Sequence, residues 1–93
     1  MQHTSYRFEV SGRVQGVYFR QSCKQLADRL GLAGWIRNRP DGRVEGVVSG
    51  QDADAISQFH DWLKIGPSAA RVSKLRWGPF KPGDDAVGFE VRR

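Results

Sequence analysis

The chain is poor in the residues that build metal centres and covalent catalysts. Its 93 residues hold one cysteine, Cys23, and two histidines, His3 and His60. A lone cysteine excludes an intramolecular disulfide framework and a cysteine-rich zinc site. The histidines stand alone in the sequence, with no partner at ligand or dyad spacing. His3 belongs to a terminal tail, and His60 is expected to face solvent from a helix. Asp84 and Asp85 are neighbours in a Gly/Pro-rich stretch, where such pairs are solvated charge rather than an acid–base pair. No apolar run approaches the roughly 18 residues of a membrane span. Met1 to Ser5 lacks the basic and apolar regions of a secretory signal. A cytoplasmic location is the simplest expectation, without contact to membranes. No repeat, linker or low-complexity segment occurs.

Acidic residues are also missing from one place. None occurs between Ser11 and Lys24, so nothing there repels an anion. Over the whole chain fifteen Lys and Arg face ten Asp and Glu, a formal net charge of +5. That excess attracts phosphorylated metabolites, nucleic acid and acidic membranes alike. It equally suits a merely soluble surface, so charge does not choose among them. The hydrophobic content of 39% and charged content of 27% are those of an ordinary globular protein. Residues 1–93 are expected to form a single domain, which at this size buries about two-thirds of its unfolded surface. Any active site is then a surface cleft.

The hydrophobic pattern switches period along the chain. Tyr6, Phe8 and Val10 alternate with Arg7, Glu9 and Ser11, a strand with one buried face that Gly12 ends. Phe19, Cys23, Leu26, Ala27 and Leu30 lie on one face of a helix, with Gly31 placed for a left-handed C-cap. Cys23 is on that apolar face, where it acts as a small buried hydrophobe. Gly34 to Asn38 predicts a second strand, and Arg39-Pro40-Asp41-Gly42 a turn. Arg43 to Ser49 predicts a third strand, which closes a hairpin with Asn38 near its turn. Asp52 or Asp54 starts a second helix, which buries Ile56, Phe59 and Leu63 and stops at Gly66-Pro67. Val72 to Trp77 predicts a fourth strand, 78–85 a loop, and Val87, Phe89 and Val91 a last strand. The order β-α-β-β-α-β, with its last β in one piece or two, gives an α+β fold. It is a ferredoxin-like βαββαβ sandwich, a mostly antiparallel sheet with two helices packed on one face.

The first strand-to-helix turn is the best candidate site. Such a turn leaves backbone N–H groups without helical partners, and the helix dipole favours an anion there. Gly16 permits backbone geometries that a side chain would block. Arg20 brings a planar fork of donors that matches phosphate oxygens. The Gly-Lys-Ser/Thr ending of a Walker A loop is absent. By itself the stretch reads as well as an ordinary βα turn.

Two longer patterns narrow the reading. Gly12-x-Val14-Gln15-Gly16-Val17-x-Phe19-Arg20 resembles the first signature of the acylphosphatase family. Gly34-Trp35-Ile36-Arg37-Asn38-x3-Gly42-x-Val44-x5-Gly50 resembles its second. Similarity extends through Leu30-Gly31-Leu32, Phe59, Trp62, Leu63, Gly66-Pro67, Val72 and Phe89-Glu90-Val91-Arg92. The resemblance implies hydrolysis of acyl phosphates to a carboxylate and inorganic phosphate, on the fold reached above. It implies Arg20 as the phosphate-binding catalytic arginine and Asn38 as the residue that positions the attacking water. The backbone amides of Gln15, Gly16, Val17, Tyr18 and Phe19 match the family's phosphate cradle. Tyr18 is at a variable position.

The chemistry suits those groups. A carboxylate leaves an acyl phosphate without protonation, so a strong general acid is unnecessary. What helps is charge neutralisation on the phosphoryl oxygens and a water held in line behind phosphorus. An arginine with an amide nest supplies the first, and a neutral amide side chain the second. Direct attack by water, with no metal, no cofactor and no covalent intermediate, is the expectation for a monomer acting on a small molecule.

Two rivals differ in class. RNA-recognition domains share the βαββαβ order, but the third strand, Arg43 to Ser49, has no aromatic on which a base could stack. Trp35, Trp62 and Trp77 read as core or edge packing. The other rival is a scaffold that binds an anion or a protein without turnover, against which Arg20 and Asn38 both stand.

Overall fold

A computed structural model describes residues 4–81 and 88–93. The expectations for His3, for the Asp84–Asp85 pair, for the 82–85 part of the loop and for Val87 lie outside the described residues. The elements are β1 (Thr4–Arg13), α1 (Phe19–Leu30), β2 (Ala33–Asn38), β3 (Val44–Gly50), α2 (Ala53–Leu63), β4 (Arg71–Pro79) and β5 (Phe89–Arg92). The strands form one sheet in the order β4-β1-β3-β2-β5. Its pairs are antiparallel except β2 with β5, which run parallel.

One face of the sheet is buried because each strand alternates. Phe8, Val10, Ile36, Val44, Val48 and Phe89 point to that face. They meet Phe19, Cys23 and Ala27 of α1 and Ala55, Ile56, Phe59 and Leu63 of α2 in one core. Both helices thus cover the same face, as their single apolar stripes predict. Phe59 links the layers, edge-on to Phe8 with ring centres 5.6 Å apart and tilted against Phe89 at 5.9 Å. Cys23 is fully buried among these groups, and burial pushes its thiol pKa well up, as befits a packing residue.

Two helix boundaries match the expected caps, while α2 ends at Leu63, short of the expected stop at Gly66-Pro67. Gly31 is left-handed and follows α1. The Asp52 side chain accepts from the N–H groups of Asp54 and Ala55 at the start of α2.

Several strand ends differ from expectation. β1 does not stop at Gly12. It continues to Arg13 across a register shift between Ser11 and Gly12, because Arg71 and Val72 of β4 supply partners there. Nor does β4 break at Gly78: it runs through Pro79, opposite Tyr6. Pro is tolerated because β4 is an edge strand. The two pieces expected of the last strand are separate strands on opposite edges of the sheet. His60 also departs from a solvent-facing role. It is half-buried and packs edge-on against Trp77, ring centres 4.8 Å apart.

Candidate active site

The segment between β1 and α1 is fixed by what it buries and by two left-handed residues. Val14, Val17 and Phe19 are inserted into the core. Between them Gly16 has φ 73° and Tyr18 φ 62°, ψ 24°. Tyr18 is the one non-glycine residue with positive φ among the described residues. Left-handed backbone costs a side-chain-bearing residue about 1–2 kcal/mol, so the loop stores strain at this point. Alternation of this kind turns successive N–H groups toward a common side, the geometry of an anion nest. Val17 and Phe19 are buried here, and Tyr18 between them is exposed.

The helix that follows is open at its N-terminus. No side chain caps it, and its first turn holds no acidic residue. Its first hydrogen bond runs from Ser22 N–H to the Tyr18 carbonyl at 3.0 Å. The N–H groups of Phe19, Arg20 and Gln21 therefore have no acceptor within the helix. Arg20 extends from this turn toward β5, where its Nη1 donates to the Arg92 carbonyl at 3.2 Å. One bond to a neutral carbonyl leaves most of the guanidinium fork available. No carboxylate pairs with Arg20 among the described residues, though most other arginines of this end of the sheet are so engaged.

The second segment is the hairpin of β2 and β3. Asn38 is the last residue of β2, opposite Val44. Beyond it the turn closes through Arg39 N–H to the Arg43 carbonyl at 2.8 Å and Gly42 N–H to the Arg39 carbonyl at 3.2 Å. The Asn38 Oδ1 is buried and accepts no hydrogen bond from a protein donor. A buried polar atom left without a partner costs about 1–3 kcal/mol, so it calls for a functional account.

Charged side chains brace that turn on the helix-free face of the sheet. Glu45 accepts from Arg37 Nε at 2.7 Å and Arg39 Nη1 at 3.0 Å. Arg39 Nε also reaches Asp41 at 3.0 Å, and Arg43 pairs with Glu9 at 2.8 Å. Burial pushes the Glu45 carboxyl up, but the hydrogen bonds from Arg37 and Arg39 outweigh it and hold the pKa below the usual value. Asp41 is held low first by the Arg43 backbone N–H, then by Arg39. The Arg39 guanidinium is raised by its bonds to Glu45 and Asp41.

Both segments line one cavity of about 560 Å³. Gly16, Tyr18, Phe19 and Arg20 come from the first, Asn38 from the second, and Val91 and Arg93 from β5 and the residue after it. The structure thus brings together Arg20, Asn38 and three of the five expected cradle positions. Val17 is turned into the core. The Gln15 side chain is bonded to the hairpin, with Nε2 donating to the Arg39 carbonyl at 2.8 Å and the Arg43 carbonyl at 3.0 Å. Sequence reasoning missed this link, because the pattern around Gln15 points only to its backbone amide. It also missed the contribution of β5, which depends on a parallel pairing with β2 that no local pattern encodes. Among the described residues no group of three or more His, Cys, Asp or Glu side chains could hold a metal ion. Among the described residues no helix is long and apolar enough to cross a membrane.

The family profile named Acylphosphatase matches residues 6–91. The chain belongs to the acylphosphatase family. It is 54% identical over 84 residues to an acylphosphatase of Gloeobacter violaceus, covering 90% of this chain and 88% of that one. An acylphosphatase of Rubrobacter xylanophilus is 49% identical over 86 residues, 92% of this chain and 77% of the relative. Among solved structures, an acylphosphatase from Coxiella burnetii superposes with a TM-score of 0.90 at 40% identity. That match covers 97% of this chain and 93% of the other. Family and fold agree with the two signatures and with the sandwich derived from the element order.

Proposed function

We propose that the acylphosphatase activity of this chain, hydrolysis of the carboxyl–phosphate anhydride of acyl phosphates, takes place in the cavity shared by Arg20 and Asn38. The phosphoryl group docks at the open N-terminus of α1. The N–H groups from Gln15 to Phe19, with those of the first helical turn, supply the nest, and the Arg20 fork neutralises the phosphoryl oxygens. Asn38 holds the water. Its side-chain amide, donor and acceptor both, turns a lone pair of the water oxygen toward phosphorus. The water attacks in line, the P–O bond to the acyl group breaks, and the carboxylate leaves with the bonding pair. The water's second proton passes to solvent or phosphate. Since the leaving group departs as a stable anion, no metal, cofactor or covalent intermediate is needed.

The observation that carries this reading is the meeting of Arg20 and Asn38 at one cavity, with the Asn38 Oδ1 buried and without a protein donor. A small-molecule partner is favoured over RNA by the helix-free face. There the Trp35 ring already lies against the guanidinium groups of Arg37 and Arg92, at 5.3 and 4.8 Å. Residues 1–93 then act as one catalytic domain. A monomer in the cytoplasm completes the proposal, and the free buried thiol of Cys23 suits a reducing compartment.

The test is hydrolysis of benzoyl phosphate in the presence of a chelator, with competitive inhibition by inorganic phosphate measured alongside. Arg20→Gln should abolish both turnover and phosphate inhibition. Asn38→Ala should keep phosphate inhibition and lose about 3–4 kcal/mol of transition-state stabilisation, the loss seen when one positioned donor is removed elsewhere. Wild-type phosphate affinity in the first variant, or near wild-type turnover in the second, would remove that residue from its role.

A further inference from the structure

The two halves of the cavity come from segments with no covalent reason to keep a fixed spacing. Asn38 lies at the end of a hairpin, where a strand pair frays into a turn. The cradle lies at a helix N-terminus on the other side of the cavity. For a water held by one to meet a phosphorus held by the other, the gap must be kept to a fraction of an ångström. The ladder of β2 and β3 does not do this by itself, because it fixes Asn38 against Val44 and not against the cradle.

The Gln15 side chain crosses the gap. Gln15 Nε2 donates to the carbonyls of Arg39 and Arg43, at 2.8 and 3.0 Å. These carbonyls belong to the two ends of the turn, which also bond to each other through Arg39 N–H and the Arg43 carbonyl. A single amide NH₂ has two protons in a fixed plane, so it can grip both ends at once. The grip falls on the residue directly after Asn38. We propose that the Gln15 side chain is a positioning residue: it ties the cradle loop to the hairpin turn and so sets the spacing between the phosphoryl site and the water-holding Asn38. This rests on the assignment of Asn38 and the cradle made above.

The role explains the residue type. A carboxylate of the same length has no proton to give to two carbonyls at neutral pH, and an apolar chain of the same length has none at all. The bonds come from the side chain, so substitution leaves the Gln15 backbone N–H in place. Gln15 is only half-buried and lies outside the core, so its replacement leaves the folded state intact.

Gln15→Met keeps the length and volume and removes both protons. The readouts are kcat and KM for benzoyl phosphate, and the inhibition constant of inorganic phosphate. The expected result is a fall in kcat of roughly 10- to 100-fold, the scale of an ångström-level misplacement. The phosphate inhibition constant should stay within about twofold, which also shows that the cradle is folded. Amide exchange at Arg39 and Gly42 should quicken in the same variant, since the turn has lost its outer tether. Parallel loss of kcat and phosphate affinity would overturn the proposal, because the side chain would then be serving the cradle alone. Unchanged kcat would overturn it as well. Neither result resembles failure of the underlying assignment, which would leave Asn38→Ala active or Arg20→Gln able to bind phosphate.

Discussion

The β1–α1 loop and the β2–β3 hairpin meet at one cavity but hold their shapes by different means. The loop is set by backbone conformation: left-handed Gly16 and Tyr18 between the buried anchors Val14, Val17 and Phe19. It has no side-chain cap and no acidic group in the first turn of α1. The hairpin is set by side chains. Glu45, Asp41 and Glu9 tie Arg37, Arg39 and Arg43 around its turn. The difference follows from what each segment must present. In the proposed mechanism the loop offers N–H groups to an anion, so any nearby carboxylate would compete with the substrate. The hairpin offers one neutral amide, so it can be braced by ion pairs kept on the opposite face of the sheet. Arg20 sits on the loop side of this division, bonded only to a neutral carbonyl among the described residues. The arginines on the hairpin side are structural, although they carry the same charge.

If backbone conformation alone shapes the loop, a change there should damage the chemistry far more than the fold. A Cβ at Gly16 would meet nothing within 4 Å, so only its φ of 73° resists a side chain. Gly16→Val should reorient the nest, lower kcat/KM on the order of 100-fold and largely abolish phosphate inhibition. Stability should fall by only about 1–2 kcal/mol, the cost of a left-handed residue. Benzoyl phosphate kinetics and a denaturant titration check both parts. A large loss of stability with intact phosphate binding would mean that the loop is held by contacts instead.

The contrast between the segments also bears on what the sequence revealed. The strand and helix periods placed the layers, because Phe8, Val10, Phe19, Cys23 and Phe59 each report burial through spacing alone. Arg20 and Asn38 were legible through the two signatures. The left-handed Tyr18 was not, since no property of tyrosine favours that conformation. The Gln15 link to the turn and the position of Val91 in the cavity were equally hidden. Both depend on which segments the completed sheet brings together. Local propensity cannot report that, and β5 took the edge beside β2 where a single bent fourth strand would not have reached.

The hairpin should respond in the opposite sense to a comparable backbone change. Gly42 has φ 95°, and a Cβ there would again meet nothing within 4 Å. Gly42→Ala imposes about 1–2 kcal/mol of backbone strain on the turn. That strain should shift Asn38 while leaving the cradle alone, with kcat falling on the order of 10-fold and phosphate inhibition unchanged. Equal losses in both quantities would show that turn and cradle move as one body.

The smallest effect is expected from the charges that brace the turn. The Glu45 carboxyl has a folded pKa below its unfolded value, because Arg37 and Arg39 bond to its charged form against the effect of burial. A depressed carboxylate pKa contributes stability above the unfolded value of about 4.3. That contribution is lost as pH falls through the folded value. Glu45→Gln should therefore destabilise the protein by about 1 kcal/mol near pH 7. Below the folded pKa the two proteins should become equally stable, because the wild-type carboxyl is then also neutral. Turnover at pH 7 should change less than for Gly42→Ala, since Asp41 and Glu9 still hold Arg39 and Arg43. Urea titrations from pH 3 to 7 decide the matter. A stability difference that does not narrow toward acid would mean that Glu45 acts through packing, and the hairpin would then resemble the loop more closely than its ion pairs suggest.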